Sequence, residues 1–233
     1  MSIDRLQDRP FLSGVLIAFD LDGTLVDTAP DLIGALNGVL AERRLPAVPV
    51  ESARALVGHG AKALIERGFS VAGEPLSAEE TPALVTRFID IYRTRIAAES
   101  RPFPGVERAL DDLAAAGAAL AVCTNKRTDL STELLTALNL ADRFAVIIGA
   151  DLAPAPKPDG RHLIFTAERA GVPIGRTLMV GDSANDVNAA KAAGAPVVAV
   201  SFGYTDIPAA DLGADQLMHH FDELMGHARR LLP

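Results

Sequence analysis

The sequence predicts an α/β protein: a doubly wound parallel sheet with an all-helical block inserted after its first strand. Three observations carry this. From residue 102 to the C-terminus, short apolar runs alternate with stretches of helical period, the rhythm of parallel βαβ units. One further apolar run, Val15-Leu16-Ile17-Ala18, stands by itself near the N-terminus. Between residues 27 and 101 no strand-like alternation occurs, and apolar residues recur at helical spacing. The expected division is therefore a Rossmann-like core of residues 1–26 and 102–233 with a helical cap of residues 27–101 between its parts.

In chain order, Val15–Ala18 reads as a short buried strand that runs into Phe19-Asp20-Leu21-Asp22-Gly23-Thr24-Leu25. Leu32, Leu36, Val39 and Leu40 give residues 31–45 a helical period, which Pro46 and Pro49 break. A second helix is expected over 51–68, with Val57-Gly58-His59-Gly60 as a break within or near it. A third is expected over 77–98, with a stripe of Leu84, Phe88, Ile91 and Tyr92. There Ser77, with Glu80 three residues on, has the form of a capping box.

Pro104-Gly105 then opens a helix with Val106, Leu110 and Leu113 inward, ending at Gly117. A strand over 118–123 leads to the turn Thr124-Asn125-Lys126, and a helix through Leu130, Leu134, Leu135 and Leu138 leads to a strand over 144–148. A Pro-rich loop carries Lys157, and a helix spans 159–171. The strand over 177–180 enters Gly181-Asp182. A helix ending at Gly194, a strand over 196–200 and a helix over 221–232 close the chain.

Composition narrows the partners. With 233 residues, 49% hydrophobic and 22% charged, the chain can bury a sizeable core. A net charge of −8 without a basic run argues against nucleic acid. No apolar stretch reaches the roughly 18 residues of a membrane span, and residues 1–10 lack the apolar centre of a signal peptide. Cys123, the single cysteine, excludes an internal disulfide and fits a reducing cytoplasm as a buried structural thiol. A soluble cytoplasmic monomer or homodimer is expected, with no membrane partner.

Four short segments fall at strand ends: Asp20/Asp22, Thr124/Asn125, Lys157 and Gly181-Asp182-Ser183-Ala184-Asn185-Asp186. In a parallel sheet such ends share one edge, so distant segments can meet in one crevice. Two acidic clusters, a hydroxyl and a lysine suit Mg²⁺ and a phosphate: hard oxygen ligands for the cation, donors and positive charge for phosphoryl oxygens. Acidic turns and helix capping by Asp182 or Asp186 are the plainer explanations of single segments.

The ordered set DLDGTL, CTN, PKP and GDSAND resembles the four motifs of the haloacid dehalogenase-like phosphohydrolases, along essentially the whole chain. The resemblance implies that Asp20 is the nucleophile forming an aspartyl-phosphate and Asp22 the general acid and base. It implies that Thr124, the Asn125 backbone and Lys157 hold the phosphoryl group. Mg²⁺ would sit on Asp20, the Asp22 backbone carbonyl and Asp182, with Asp186 either a ligand through water or a support. An acid at position 22 favours cleavage of phosphate esters over dehalogenation.

The stretch around Gly58, His59, Gly60 and Lys62 is similar to the cap loop of bacterial phosphoglycolate phosphatases, where backbone N–H groups and nearby cations could meet a small anion; a plain turn between helices is the other reading. The implied substrate is a small phosphorylated metabolite, 2-phosphoglycolate first, with other small phosphates, hexose-phosphate mutation or a receiver-like phospho-Asp module as alternatives.

Overall fold

The computed structural model describes residues 10–50, 57–58, 60–205 and 207–232. Six parallel strands form the central sheet: β1 (Leu16–Phe19), β4 (Ala119–Thr124), β5 (Val146–Gly149), β6 (Thr177–Gly181), β7 (Val197–Val200) and β8 (Gln216–Met218). They lie in the order β5-β4-β1-β6-β7-β8. β1 is thus flanked on both sides, with Phe19 in register with Val122 of β4 and Val180 of β6. Chain order runs outward in both directions from β1, and such a switch point opens a crevice at the strands' C-terminal ends.

Both faces of the sheet are covered, which explains why its strands are continuous apolar runs. On one face Ile17, Phe19, Leu120, Val122, Leu178 and Val180 pack on α4 (Val106–Ala115), α5 (Thr128–Ala137) and α8 (Leu224–Leu231). On the other, the small Ala18, Cys123 and Ala199, with Met179, pack on α6 (Arg161–Arg169) and α7 (Ala184–Ala193). The edge strand β8 escapes the sequence reading because Gln-Leu-Met is too short to show a period.

The inserted block contains α1 (Ala29–Glu42), α2 (Gly60–Val71) and α3 (Thr81–Arg93). Leu36, Ile65, Phe69, Phe88 and Tyr92 build their shared core, which also takes in Leu130 and Tyr204 from the sheet side. The expected helix over 51–68 is observed from Gly60, with Val57 and Gly58 in a turn; residues 51–56 and His59 lie outside the described residues. The third helix starts at Thr81 rather than 77, because Ser77 and Glu80 exchange hydrogen bonds as a turn and Pro82 takes the first helical positions.

The two segments that cross between the sheet and the helical block pair as antiparallel β2 (Val26–Asp27) and β3 (Arg101–Pro102). Asp31, in the first turn of α1, fastens the returning segment. Its buried carboxylate accepts from Ser100 N–H and Oγ, both at 2.7 Å, from Glu99 N–H at 2.9 Å and from Arg95 Nε at 3.2 Å. Burial pushes the Asp31 carboxyl up, but these donors outweigh it and hold it below the usual value. Asp31→Ala is expected to cost about 3 kcal/mol in urea unfolding, since it orphans several donors. The wild type's advantage is full above the ordinary carboxylate pKa of 3.8 and fades as pH falls through the lower folded value.

Candidate active site

Asp20 is the first residue past β1. Its N–H still bonds Val180 O at 2.9 Å, so the sheet fixes where the side chain leaves the backbone. The carboxylate is buried; Oδ1 accepts from Leu21 N–H at 2.7 Å and lies 3.1 Å from Lys157 Nζ. Burial raises the Asp20 pKa to about 6 against the pull of the Lys157 ammonium, with Asp186 adding to the rise.

Lys157 is held from two directions. Asn125 Nδ2 donates to Lys157 O at 2.9 Å, and Lys157 N–H donates to Asn125 Oδ1 at 2.9 Å, so the Asn125 side chain pins the loop. The ammonium meets Cys123 O at 2.7 Å, Asp186 Oδ1 at 2.6 Å and Asp20 Oδ1 at 3.1 Å. Three acceptors match its three donors.

The acidic cluster stands beside it. Asp182, at the end of β6, accepts from Thr24 Oγ1 at 3.0 Å and from Tyr204 N–H at 2.7 Å. Close packing requires glycine here. Gly23, at φ +82°, would place a Cβ 2.4 Å from Asp182 Oδ2, and one on Gly203 would lie 2.1 Å from Asp182 Cβ. Burial and the nearby Asp186 and Asp20 carboxylates push the Asp182 carboxyl well above its ordinary value.

Asp186 closes the capping box of α7, with Oδ2 accepting from Ser183 N–H at 3.0 Å, Ser183 Oγ at 2.7 Å and Asp182 N–H at 3.2 Å. With Lys157 on Oδ1, its acceptor sites are well filled. Oxygen atoms of Asp20, Asp182 and Asp186 lie within 4.8 Å of one another. Three buried carboxylates around one ammonium leave an excess of negative charge and hard oxygen donors, a set that fits a divalent cation such as Mg²⁺.

Asp22 sits two residues beyond Asp20 and faces a different cation. Both its oxygens meet Lys126 Nζ, at 3.1 and 3.2 Å. The ammonium also lies 4.5 Å from the ring centre of Tyr92, on α3. Burial alone would lower the Lys126 pKa, but the Asp22 carboxylate outweighs it and holds the amine above its usual value. Sequence reasoning stopped at Thr124 and Asn125; that Lys126 continues the same strand-end turn was the signal available.

A cleft of about 620 Å³, part of it open solvent, lies between the sheet edge and the helical block; Lys157, Asp182 and Asp186 stand behind Asp20 and are not in its lining. Asp20, Asp22, Thr124, Asn125, Lys126 and Arg127 line it from below; Leu32, Val57, Gly58, Gly60, Ala61, Leu64, Phe88 and Tyr92 line it from above. Lys62 departs from the expected position. Ala61 and Leu64 present the cleft-facing side of α2, which turns Lys62 outward to an exposed pairing with Glu66 at 3.8 Å, one turn on. Among the described residues no helix is long and apolar enough to cross a membrane.

The family model described as "Haloacid dehalogenase-like hydrolase" matches residues 17–200. The phosphoglycolate phosphatase of Caulobacter vibrioides is 59% identical over 210 residues, covering 90% of this chain and 89% of the relative. That of Mesorhizobium japonicum is 46% identical, covering 91% and 94%. A crystal structure described as "a predicted phosphoglycolate phosphatase from haemophilus somnus 129pt" superposes with a TM-score of 0.84 at 31% identity, covering 91% of this chain and 96% of that one. The matched stretch runs from β1 to the end of β7 and contains every strand-end segment of the cleft, and the chain belongs to the haloacid dehalogenase-like hydrolase family.

Proposed function

We propose that the protein is a phosphatase that hydrolyses 2-phosphoglycolate to glycolate and phosphate. The observation that carries the reading is the pair of carboxylates, Asp20 and Asp22, facing one cleft but held by separate lysines. Relatives at up to 59% identity bearing the phosphoglycolate phosphatase name support the substrate.

In this reading an Asp20 oxygen attacks phosphorus and becomes an aspartyl-phosphate, while the ester oxygen leaves with a proton from Asp22. Asp22, now a carboxylate, takes a proton from the water that attacks the aspartyl-phosphate. Phosphate is released and Asp20 regenerated. Thr124 and the Asn125 backbone hold the phosphoryl oxygens, and the Lys157 ammonium beside Asp20 offsets the charge that moves onto them. Asp20, Asp182 and the Asp22 carbonyl would hold Mg²⁺, with Asp186 orienting Lys157 and the α7 turn behind them. Such a cation, when bound, offsets the clustered negative charge and polarises a phosphoryl oxygen.

Residues 27–101 act as the cap over the core of 1–26 and 102–233, with β2 and β3 as its two-stranded stem. Gly58 and Gly60, which line the cleft, would meet the substrate's outer end. The buried free Cys123 suits a cytoplasmic enzyme.

Purified protein with 2-phosphoglycolate and Mg²⁺ is expected to release phosphate, to stop when the metal is chelated and to recover when Mg²⁺ is restored. Saturating the site at about 100 Kd should add about 2.7 kcal/mol to stability, read as a rise in Tm. Absence of turnover on this substrate with Mg²⁺ present would overturn the reading.

A further inference from the structure

The two lysines at the sheet edge differ in what they have left to offer. Lys157 spends its donors on Cys123 O, Asp20 and Asp186, all on the phosphoryl side. The Lys126 ammonium bonds the Asp22 carboxylate and lies against the Tyr92 ring, bordering the cleft. The other wall of the cleft is apolar there, with Leu32, Leu64, Phe88 and Leu130. Arg127, the other basic residue of the lining, is half exposed and paired with Asp129 at 3.0 Å. Among the described residues, Lys126 carries the one buried ammonium that lines this cleft.

The position of Asp22 then fixes what Lys126 can touch. To receive its proton, the ester oxygen must come within hydrogen-bond distance of an Asp22 oxygen. That oxygen lies 3.1–3.2 Å from Lys126 Nζ. A group attached to the ester oxygen through two bonds of about 1.5 Å each therefore falls within reach of the ammonium. In 2-phosphoglycolate that group is the carboxylate.

We propose that Lys126 binds the carboxylate of the substrate and selects an anionic group two bonds from the ester oxygen. The proposal rests on the phosphatase reading above. It also explains how the carboxylate of the departing glycolate and that of Asp22, once Asp22 has given up its proton, can share a low-dielectric cleft: the ammonium lies within reach of both and offsets their repulsion. The leaving group's charge is then matched by the core, and the helical block contributes apolar walls that exclude water.

The test compares kcat/KM for 2-phosphoglycolate with that for ethyl phosphate, which replaces the carboxylate by a methyl group, on wild type, Lys126→Met and Lys126→Gln with Mg²⁺. Both substrates are assayed on one preparation, so a reduced folded fraction cancels from their ratio. The wild type should prefer 2-phosphoglycolate, and each variant should lower that preference by at least about 30-fold. Equal loss on both substrates, including loss of all activity in both variants, would show that Lys126 serves only Asp22 or the fold and overturn the proposal. Variants as selective as the wild type would also overturn it, leaving the phosphatase reading intact. A wild type that turns over ethyl phosphate as well as 2-phosphoglycolate would overturn the substrate assignment itself.

Discussion

Asp20→Asn protein is expected to retain less than about 10⁻⁴ of the wild-type rate with 2-phosphoglycolate, because an amide oxygen cannot serve as the nucleophile. The loss should be chemical rather than structural. An asparagine oxygen can still accept from Leu21 N–H, and Lys157 keeps its bonds to Asp186 and Cys123 O. Stability gives a second, independent readout. Burial raises the Asp20 carboxyl from 3.8 to about 6, so its contribution to stability is full below 3.8 and is lost as pH rises through about 6. At neutral pH without metal, the wild type carries a charge that the fold disfavours and the variant does not. Metal-free Asp20→Asn should therefore melt no lower than metal-free wild type, while the rise in Tm on adding Mg²⁺ should shrink. Residual turnover of a few per cent would mean that the attacking group lies elsewhere; a folded, inactive variant with an unchanged Mg²⁺ response would mean that Asp20 does not hold the metal.

Much of this site was legible because a parallel sheet turns order in sequence into neighbourhood in space. β1, β4 and β6 are built on the apolar runs 16–19, 119–123 and 178–180, and the residue types at their C-terminal ends (Asp20, Thr124 and Asp182) are those expected at a crevice. What stayed hidden was the direction of side chains. Lys126 finds Asp22 from 104 residues away, and nothing local distinguishes it from a solvated turn lysine. Tyr204 looks like a loop aromatic. Its N–H nonetheless braces Asp182, and its hydroxyl bonds Asp27 and accepts from Ala29 N–H at 3.0 Å, joining the acidic cluster to the stem of the helical block. Lys62 reads the other way, as a charge beside a glycine turn that could meet a ligand; in the structure it sits on the exposed face of α2, paired with Glu66. Asp31 reads as an acid complementing a helix N-terminus, although its energetic weight comes from a linker some 68 residues on.

Asp22→Asn separates proton transfer from attack and should fail in a way that Asp20→Asn does not. With 2-phosphoglycolate the leaving alkoxide needs a proton, so the rate should fall by about 10²–10⁴. With p-nitrophenyl phosphate the leaving phenolate needs none, and Asp20 can still attack. The second half-reaction lacks its base in either case. The variant should therefore release a burst of nitrophenolate, one per active site, and then turn over slowly while phosphate remains on Asp20; acid quench with labelled substrate would recover the phosphoprotein. Asp20→Asn should show neither burst nor label. Stability should also move in the other direction, because a neutral amide in place of the Asp22 carboxylate leaves the buried Lys126 ammonium against Tyr92 without its counter-charge, at a cost of about 3 kcal/mol. Unchanged turnover of 2-phosphoglycolate would remove Asp22 from proton transfer, and loss of both substrates without a burst would place it in the attack step. The two aspartates, two residues apart and each beside its own lysine, thus make distinguishable predictions: one carries the phosphoryl group, and the other decides whether it can be delivered and removed.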